Sequence, residues 1–555
     1  LDAPPQPEVA NRLLHEIGRA SIDASRVEVP FDQVAPAEEE RWSLDTAGEL
    51  RVAIGRTGAT TLQVLALGQD TRQHALIVGK TGSGKSTLLH VAITNLSLWC
   101  APDQVEFYLV DFKKGVEFKC YAANRLPHAR VVAIESDREF GLSVLQRVDE
   151  ELRRRGEWFR DLGVQDLRGY KRAGGREPIP RTLLIVDEFQ EFFVEDDRIA
   201  QTAALLLDRI VRQGRAFGIH VVLGSQTLGG AYTLARTTLG QMVVRIALQC
   251  NEADAFLIMD EGNPAPRLLS RPGEAVYNDA AGAIEGNSPF QVVWLPDEER
   301  DRRLREVRAY AERNAKSLQE PIVFEGNAPA SIVENRPLRE LLDGAAPAGP
   351  ARVWFGSPNS IKGPTEVVFR RQGGSHLLVV GQREETALTL LAVALMTLSA
   401  RHAPGTARFL VLDGSPPESP QRVFLDAAAA AVPHGVERVR PADVDAVMRD
   451  LAAELDRREA AEDAAGAPSV YVLIDGLQKF KRLRFEEDFS FSGGDDGADA
   501  PAGAHMDRIV REGAALGIHV LVACDGQANV QRFLSRKAVA AFTLRVLFQM
   551  SANDS

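Results

Sequence analysis

Ala75-Leu-Ile-Val-Gly79-Lys-Thr-Gly-Ser-Gly-Lys85-Ser86-Thr87 is the stretch that decides the fold of this chain. From Gly79 to Ser86 it fits G-x-x-x-x-G-K-[ST], the phosphate loop of nucleoside triphosphatases. An apolar run, Ala75–Val78, leads in, and a helical pattern, Ser86-Thr87-Leu88-Leu89-His90-Val91-Ala92, leads out. In that context Gly79, Gly82 and Gly84 let the loop close around phosphates with its backbone N–H groups, including those of Lys80, Thr81, Ser83 and Thr87. Lys85 is expected to reach the β- and γ-phosphates, and the Ser86 hydroxyl to ligate Mg²⁺. ATP and Mg²⁺ are therefore the expected cofactors.

The rest of the chain is read outward from that loop. At 555 residues it has length for roughly three to four average domains or two large α/β ones. A net charge of −12 excludes a surface that is basic everywhere. It does not exclude nucleic acid, because a ring-shaped motor needs basic residues only around its pore. Cys100, Cys120, Cys250 and Cys524 are scattered, without a CxxC pair, and read as reduced thiols rather than a disulfide or zinc framework. No apolar run is long enough to span a membrane. The chain opens on Leu1 and not on Met, so it is expected to be a piece of a longer protein. A cytoplasmic location is expected, with any membrane tether lying in a segment outside this chain.

Four blocks recur in the same order at a nearly constant offset of about 300 residues. His74-Ala-Leu-Ile-Val-Gly79 returns as His376-Leu-Leu-Val-Val-Gly381, and Phe107-Tyr-Leu-Val-Asp111 as Phe409-Leu-Val-Leu-Asp413. Arg212-Gln-Gly-Arg-Ala-Phe-Gly-Ile-His220 returns as Arg511-Glu-Gly-Ala-Ala-Leu-Gly-Ile-His519, and Arg245-Ile-Ala-Leu-Gln249 as Arg545-Val-Leu-Phe-Gln549. The chain thus contains one domain twice. Expected boundaries are an N-terminal extension with a lead-in helix over 1–49, a first unit over 50–296, a charged helix and linker over 297–350, and a second unit over 351–555 that lacks its last part. The lead-in helix, Pro7–Ala24, is expected to pack on the first unit. The acidic, glycine-rich Ser490–Ala504 is expected to be a surface loop. In both units short β-branched runs alternate with helical stretches, which gives an α/β fold with a mostly parallel sheet covered by helices on both faces. Ligands sit at the carboxyl ends of strands in such sheets.

Two further strand ends in the first unit carry chemistry. Thr182-Leu-Leu-Ile-Val-Asp187-Glu188 ends in paired carboxylates. Asp187 is expected to hold Mg²⁺, and Glu188 to orient or deprotonate the attacking water. Val221-Val-Leu-Gly-Ser225-Gln226 ends in polar residues, and Gln226 is a candidate γ-phosphate sensor. Arg215, just before that run, reads from spacing alone as an ordinary surface arginine.

These residues carry a resemblance. The first unit resembles the motor domain of FtsK/SpoIIIE-type ATPases, within the wider FtsK–HerA group of RecA-like ring motors. The matching stretches, in family order, are the phosphate loop, Asp111-Phe-Lys-Lys-Gly115, Leu126-Pro-His128, Asp187-Glu188, Arg215-Ala-Phe-Gly-Ile-His220 with Gln226, Arg245 to Asp254, and Leu268-Leu-Ser-Arg-Pro-Gly-Glu274. They cover most of Leu50–Asn278. The resemblance implies two tandem RecA-like domains, a hexameric ring, and for Arg215 the role of a finger that completes a neighbouring subunit's site. Lys113 sits where the family has its own lysine; no role is assigned to it.

The second unit keeps the strands and loses the chemistry. Gly381-Gln-Arg-Glu-Glu-Thr-Ala-Leu388 stands in place of the phosphate loop, Asp475-Gly476 in place of Asp187-Glu188, and Ala514 in place of Arg215. Glu384 and Glu385 would repel phosphate, so this unit is expected not to hydrolyse ATP. The family's most common use makes double-stranded DNA the expected cargo. The tandem, partly degenerate layout resembles the EccC ATPases of type VII secretion, which makes a secreted protein substrate the alternative. A blander third reading is an ATP-dependent member of a defence or chromosome-maintenance complex.

Overall fold

The computed structural model describes all residues except 1–6, 25–27, 113–116, 229–235, 261, 316–317, 327–329, 345–348, 462–465, 487–499 and 551–555. It divides into two units, Leu1–Ala328 with Asn359–Ile361, and Pro329–Pro358 with Lys362–Ser555.

The first unit is built on one sheet of eleven strands: β1 (Leu50–Thr57), β2 (Thr61–Leu67), β3 (Ala75–Val78), β4 (Val105–Asp111), β5 (Ala129–Ile134), β6 (Arg181–Asp187), β7 (Ile219–Ser225), β8 (Val244–Leu248), β9 (Glu274–Asn278), β10 (Asn287–Val292) and β11 (Ile322–Glu325). Their spatial order is β11-β5-β4-β6-β7-β3-β8-β9-β10-β1-β2. From β11 to β8 every pairing is parallel. From β8 onward every pairing is antiparallel. This antiparallel wing did not follow from the strand–helix alternation. It arises because β9 and β10, and likewise β1 and β2, are joined by turns too short for a crossover helix.

The central strands are buried on both faces. Ile77, Phe107, Leu109, Leu183 and Ile185 belong to one apolar cluster, while Leu76, Val78, Tyr108, Val110, Leu184 and Val186 belong to the other. Alternate residues of each strand thus feed opposite cores, as helices on both faces of a parallel sheet require. The charged helix Asp297–Asn314 buries Leu304, Val307 and Ala311, and β11 follows it onto the sheet edge beside β5. The helix Pro7–Ala24 is present, but Leu13 and Leu14 are exposed rather than packed. All four cysteines are free. Among the described residues no helix is long and apolar enough to cross a membrane.

The second unit has a hairpin of β12 (Ala351–Gly356) and β13 (Thr365–Phe369), and a six-stranded sheet. That sheet comprises β14 (Leu377–Val380), β15 (Ala407–Asp413), β16 (Val436–Val439), β17 (Ser469–Asp475), β18 (Ile518–Cys524) and β19 (Leu544–Leu547). Its order, β16-β15-β17-β18-β14-β19, reproduces β5-β4-β6-β7-β3-β8 strand for strand. The duplication holds in detail. Leu76 faces Arg245 across β3–β8, and Leu378 faces Arg545 across β14–β19. The His74 ring accepts from the Val221 backbone N–H, and the His376 ring accepts from Val520. Of the acidic stretch expected as a loop, 490–499 lie outside the described residues. Ala502–Ala504 instead open the helix Ala502–Glu512, directly after Pro501.

Candidate functional site

The phosphate loop follows β3, and its glycines have the geometry that the pattern requires. Gly82 and Gly84 take left-handed backbone angles, φ +79° and +104°. Gly84 caps the helix Lys85–Trp99, and a Cβ there would meet the Gly273 backbone at 3.2 Å. The loop is anchored at its entrance, where Lys80 N–H donates to Gln249 O at 2.8 Å. A cavity of about 330 Å³ opens beside it, lined by Lys80–Gly82, Gly84–Thr87, Glu117 and Gln226, and closed on its far side by Pro272, Gly273 and the end of β10. That volume, beside the N-terminus of the helix Lys85–Trp99, suits a nucleotide, although the N–H groups of Lys80 and Ser83, expected on phosphate, are taken here by Gln249 O and Lys80 O.

Strand order sets what faces the loop. Because β7 lies between β3 and β6, the ends of β6 and β7 stand side by side next to the loop. Asp187 and Glu188 leave β6 there, and Gln226 leaves β7. Lys85 Nζ donates to Asp187 Oδ1 and, at 2.9 Å, to Glu188 Oε1. All three side chains are nearly sealed from solvent. Burial disfavours the Lys85 ammonium, but the two carboxylates outweigh burial and raise its pKa. Burial likewise works against an ionised Glu188. The Lys85 charge and hydrogen bonds from Gln190 and the Gln226 backbone outweigh it, so the carboxyl sits below its ordinary value. Asp187 goes the other way: burial outweighs the Lys85 charge and hydrogen bond and raises its pKa, so a cation beside it would favour its ionised form.

Glu188 is held in an unusual posture. Its φ of +54° is left-handed, which costs a non-glycine residue about 1–3 kcal/mol. Gln190 Nε2 and the Gln226 backbone N–H, at 2.8 and 3.0 Å, fix its Oε2 there. Ser225 Oγ in turn donates to Gln190 Oε1 at 2.8 Å. The side chain of Gln226 reaches the phosphate loop itself, accepting from Thr81 Oγ1 at 3.0 Å.

On the other side of the loop, Ser86 Oγ donates to Glu117 Oε1 at 3.0 Å. Hydrogen bonding from His90, and then from Ser86, outweighs burial and lowers the Glu117 pKa. Glu117 was not singled out from the sequence. Its only signal was its place just after Asp111-Phe-Lys-Lys-Gly115, and Lys113 of that stretch lies outside the described residues. Ser86 and Glu117 offer hard oxygen donors on the cavity wall, and the carboxylates of Asp187 and Glu188 are sealed behind the wall residue Lys85. Among the described residues no group of three or more His, Cys, Asp or Glu side chains is placed to hold a metal ion by itself. That combination fits Mg²⁺, which keeps much of its water and binds through one or two protein oxygens plus substrate phosphates.

Arg215 is not brought to this site. It is exposed and precedes β7, whereas the site follows β7. Seven residues of strand at about 3.3 Å each put it roughly 20 Å away, at the opposite edge of the sheet. Its electrostatic influence falls on His74, at the entry to β3. His220, in the same sequence block, is structural. Its Nδ1 is 2.7 Å from Gln73 O and its Nε2 2.8 Å from the buried Arg181 guanidinium.

The corresponding place in the second unit is filled differently. Asp475 ends β17 as Asp187 ends β6, and Gly476 takes the left-handed angle of Glu188, φ +73°. Lys479 Nζ donates to Glu384 Oε1 at 2.5 Å and to Asp475 Oδ2 at 3.3 Å. Its side chain lies across Gly414 and Gly476, where any Cβ would collide with it. A lysine is thus present here, supplied from after β17, and it is spent on the chain's own carboxylates.

Residues 37–229 match the family described as FtsK/SpoIIIE. The chain is 32% identical over 232 residues to the ESX-5 secretion system protein EccC5 of Mycobacterium marinum, a match covering 40% of this chain and 16% of that protein. It is 27% identical over 319 residues to the DNA translocase FtsK of Streptococcus pyogenes, covering 55% of this chain and 38% of that one. It therefore spans well under half the length of either relative. Among solved structures, the cytoplasmic domain of the type VII secretion ATPase EccC from Thermomonospora curvata superposes with a TM-score of 0.64 at 21% identity, covering 94% of this chain and 61% of that one. EssC (ATPases 2 and 3) from Geobacillus thermodenitrificans gives 0.61 at 17% identity, covering 96% and 93%.

Proposed function

Given a P-loop ATPase domain of the FtsK/SpoIIIE family in residues 37–229, we propose that this chain is the Mg²⁺-dependent, ATP-hydrolysing part of an oligomeric translocation motor, with all its chemistry in the first unit. The observation that carries this reading is the sealed Lys85–Asp187–Glu188 cluster under a phosphate loop, set against a second unit whose equivalent place is filled by Lys479 and Glu384.

The chain's own residues divide the work. Backbone N–H groups of the loop bind the phosphates, and Lys85 exchanges its two carboxylates for β- and γ-phosphate oxygens. Ser86 and Asp187 would hold Mg²⁺, which when bound neutralises developing charge on the phosphates. Once Lys85 turns to phosphate, Glu188 loses its cation, and its carboxylate is free to orient and deprotonate water. Gln226, bonded to both Thr81 and Glu188, links the loop to that base. Arg215 would serve the site of a neighbouring subunit, because it stands at the wrong edge of the sheet to serve its own.

For the cargo, the layout supports one reading over the other. The EccC and EssC structures cover both units, which supports a tandem arrangement like theirs, while by sequence the EccC5 match covers 40% of the chain and the FtsK match 55%. A protein substrate, recognised through the catalytically silent second unit, is therefore the favoured reading, and duplex DNA the second. The test is steady-state ATP hydrolysis with and without linear duplex DNA at low and moderate salt. No stimulation, with a basal rate that rises with protein concentration, is expected for a protein motor. Strong stimulation that falls with salt would place the cargo with nucleic acid.

A further inference from the structure

A serine hydroxyl that ligates a cation must point its hydrogen away, at an acceptor, so that a lone pair faces the metal. Asp187 carries the Lys85 ammonium on its Oδ1. Glu117 takes the hydroxyl hydrogen, at 3.0 Å from Ser86 Oγ. Glu117 is itself braced. Its Oε2 is 3.5 Å from His90 Nε2, and His90 Nδ1 is 2.8 Å from the hydroxyl of Tyr121, a fully buried ring. His90 lies one turn beyond Ser86 on the helix Lys85–Trp99, so one rigid element presents both partners of the carboxylate. With the tyrosine hydroxyl donating to Nδ1, the ring proton sits on Nε2, towards Glu117. The string Ser86–Glu117–His90–Tyr121 runs from the cavity wall into the core, and Glu117 lines the cavity alongside Ser86.

We infer that Glu117 is a positioning residue for the divalent cation: it holds the Ser86 hydroxyl in its metal-binding orientation, adds negative charge beside it, and is kept in place by His90 and Tyr121. This rests on the nucleotide site proposed above and assigns a residue outside its phosphate-loop and strand-end motifs. Because Glu117 acts on the metal and not on the phosphates, its loss separates two affinities that a merely structural residue would change together.

The test uses the full chain and a fluorescent ATP analogue, with binding followed by anisotropy first in EDTA and then across a Mg²⁺ titration. Binding of Mn²⁺ in the presence of nucleotide, read by electron paramagnetic resonance, serves as a second signal. Glu117→Gln is expected to leave metal-free nucleotide affinity within about twofold while raising the half-saturating Mg²⁺ concentration by roughly 10–100-fold, the range seen when a ligand's outer partner is removed. Glu117→Asp should recover part of that loss. Tyr121→Phe, which keeps the ring and removes only the hydroxyl, should shift the Mg²⁺ midpoint a few-fold in the same direction. Coincident Mg²⁺ titrations for wild type, Glu117→Gln and Tyr121→Phe would overturn the inference. Equal losses with and without metal would make Glu117 structural and overturn it too. Failure of the wild-type chain to bind the analogue under either condition would instead remove the nucleotide site on which the inference stands.

Discussion

Replacing Lys85 with alanine should destabilise the first unit before any nucleotide is added, and by an amount that depends on pH. The ammonium is buried between Asp187 and Glu188, whose carboxylates are equally sealed. Removing one partner from a buried ionic group leaves uncompensated charge and costs about 3–5 kcal/mol. At about 2 °C per kcal/mol for a unit of this size, the first unit's melting transition should fall by roughly 6–10 °C. The pH dependence follows from linkage. In the wild type, Lys85 and the Gln190 and Gln226 donors hold the Glu188 pKa below its unfolded value, so its stabilisation is present above that value and lost as pH falls through the folded one. In the variant, two adjacent buried carboxylates face each other without a cation, so the Asp187 pKa, already raised by burial in the wild type, rises further. The penalty is then full at high pH and relieved as that group takes up a proton. Calorimetry of both proteins should show a gap in melting temperature that is widest near pH 8 and narrows towards about pH 5. A gap of under about 2 °C, or one that stays constant across that range, would refute the assignment of a structural ionic cluster.

Glu188→Gln should bind ATP and trap it, with turnover reduced about 10²–10⁴-fold, as loss of a general base requires; rapid turnover measured by phosphate release would remove Glu188 from that role. Arg215→Ala should be inactive alone and regain activity when mixed with Lys85→Ala protein, because each chain supplies what the other's site lacks. An unrecovered rate in the mixture would return Arg215 to the surface. Replacing Glu384 and Glu385 with alanine should leave turnover unchanged, and the exposed Lys479–Glu384 pair should contribute no more than about 1 kcal/mol to second-unit stability. A large drop in rate would mean that the second unit takes part in the chemistry.

The parts of this molecule written as contiguous residues were legible in the sequence. The phosphate loop, the strand ending in Asp187-Glu188, the strand ending at Gln226 and the repeat of the whole sheet depend on apolar periodicity and local turn chemistry. Those survive without knowledge of tertiary contacts. Even the distance between Arg215 and the site follows from a parallel sheet, where residues before and after one strand stand at opposite edges. What was not legible depends on which loops meet. Glu117 becomes a partner of Ser86 only because, 31 residues further along the chain, it lies against the start of the helix Lys85–Trp99. Lys479 fills the vestigial site only because a short turn after β17 brings it back over Gly414 and Gly476. The antiparallel wing was hidden for a similar reason, since its two short-turn hairpins, β9–β10 and β1–β2, join through a β10–β1 pairing between strands far apart in sequence that no local pattern encodes. The helix starting at Ala502 was masked by the glycine-rich composition just before it.

The most direct measurement is steady-state hydrolysis of Mg·ATP by the wild-type chain, by Lys85→Ala and by Asp475→Asn, at matched protein concentrations. The expected result is turnover by the wild type, none by Lys85→Ala and an undiminished rate in Asp475→Asn. Wild-type turnover in Lys85→Ala, or its loss in Asp475→Asn, would contradict the placement of all the chemistry in the first unit.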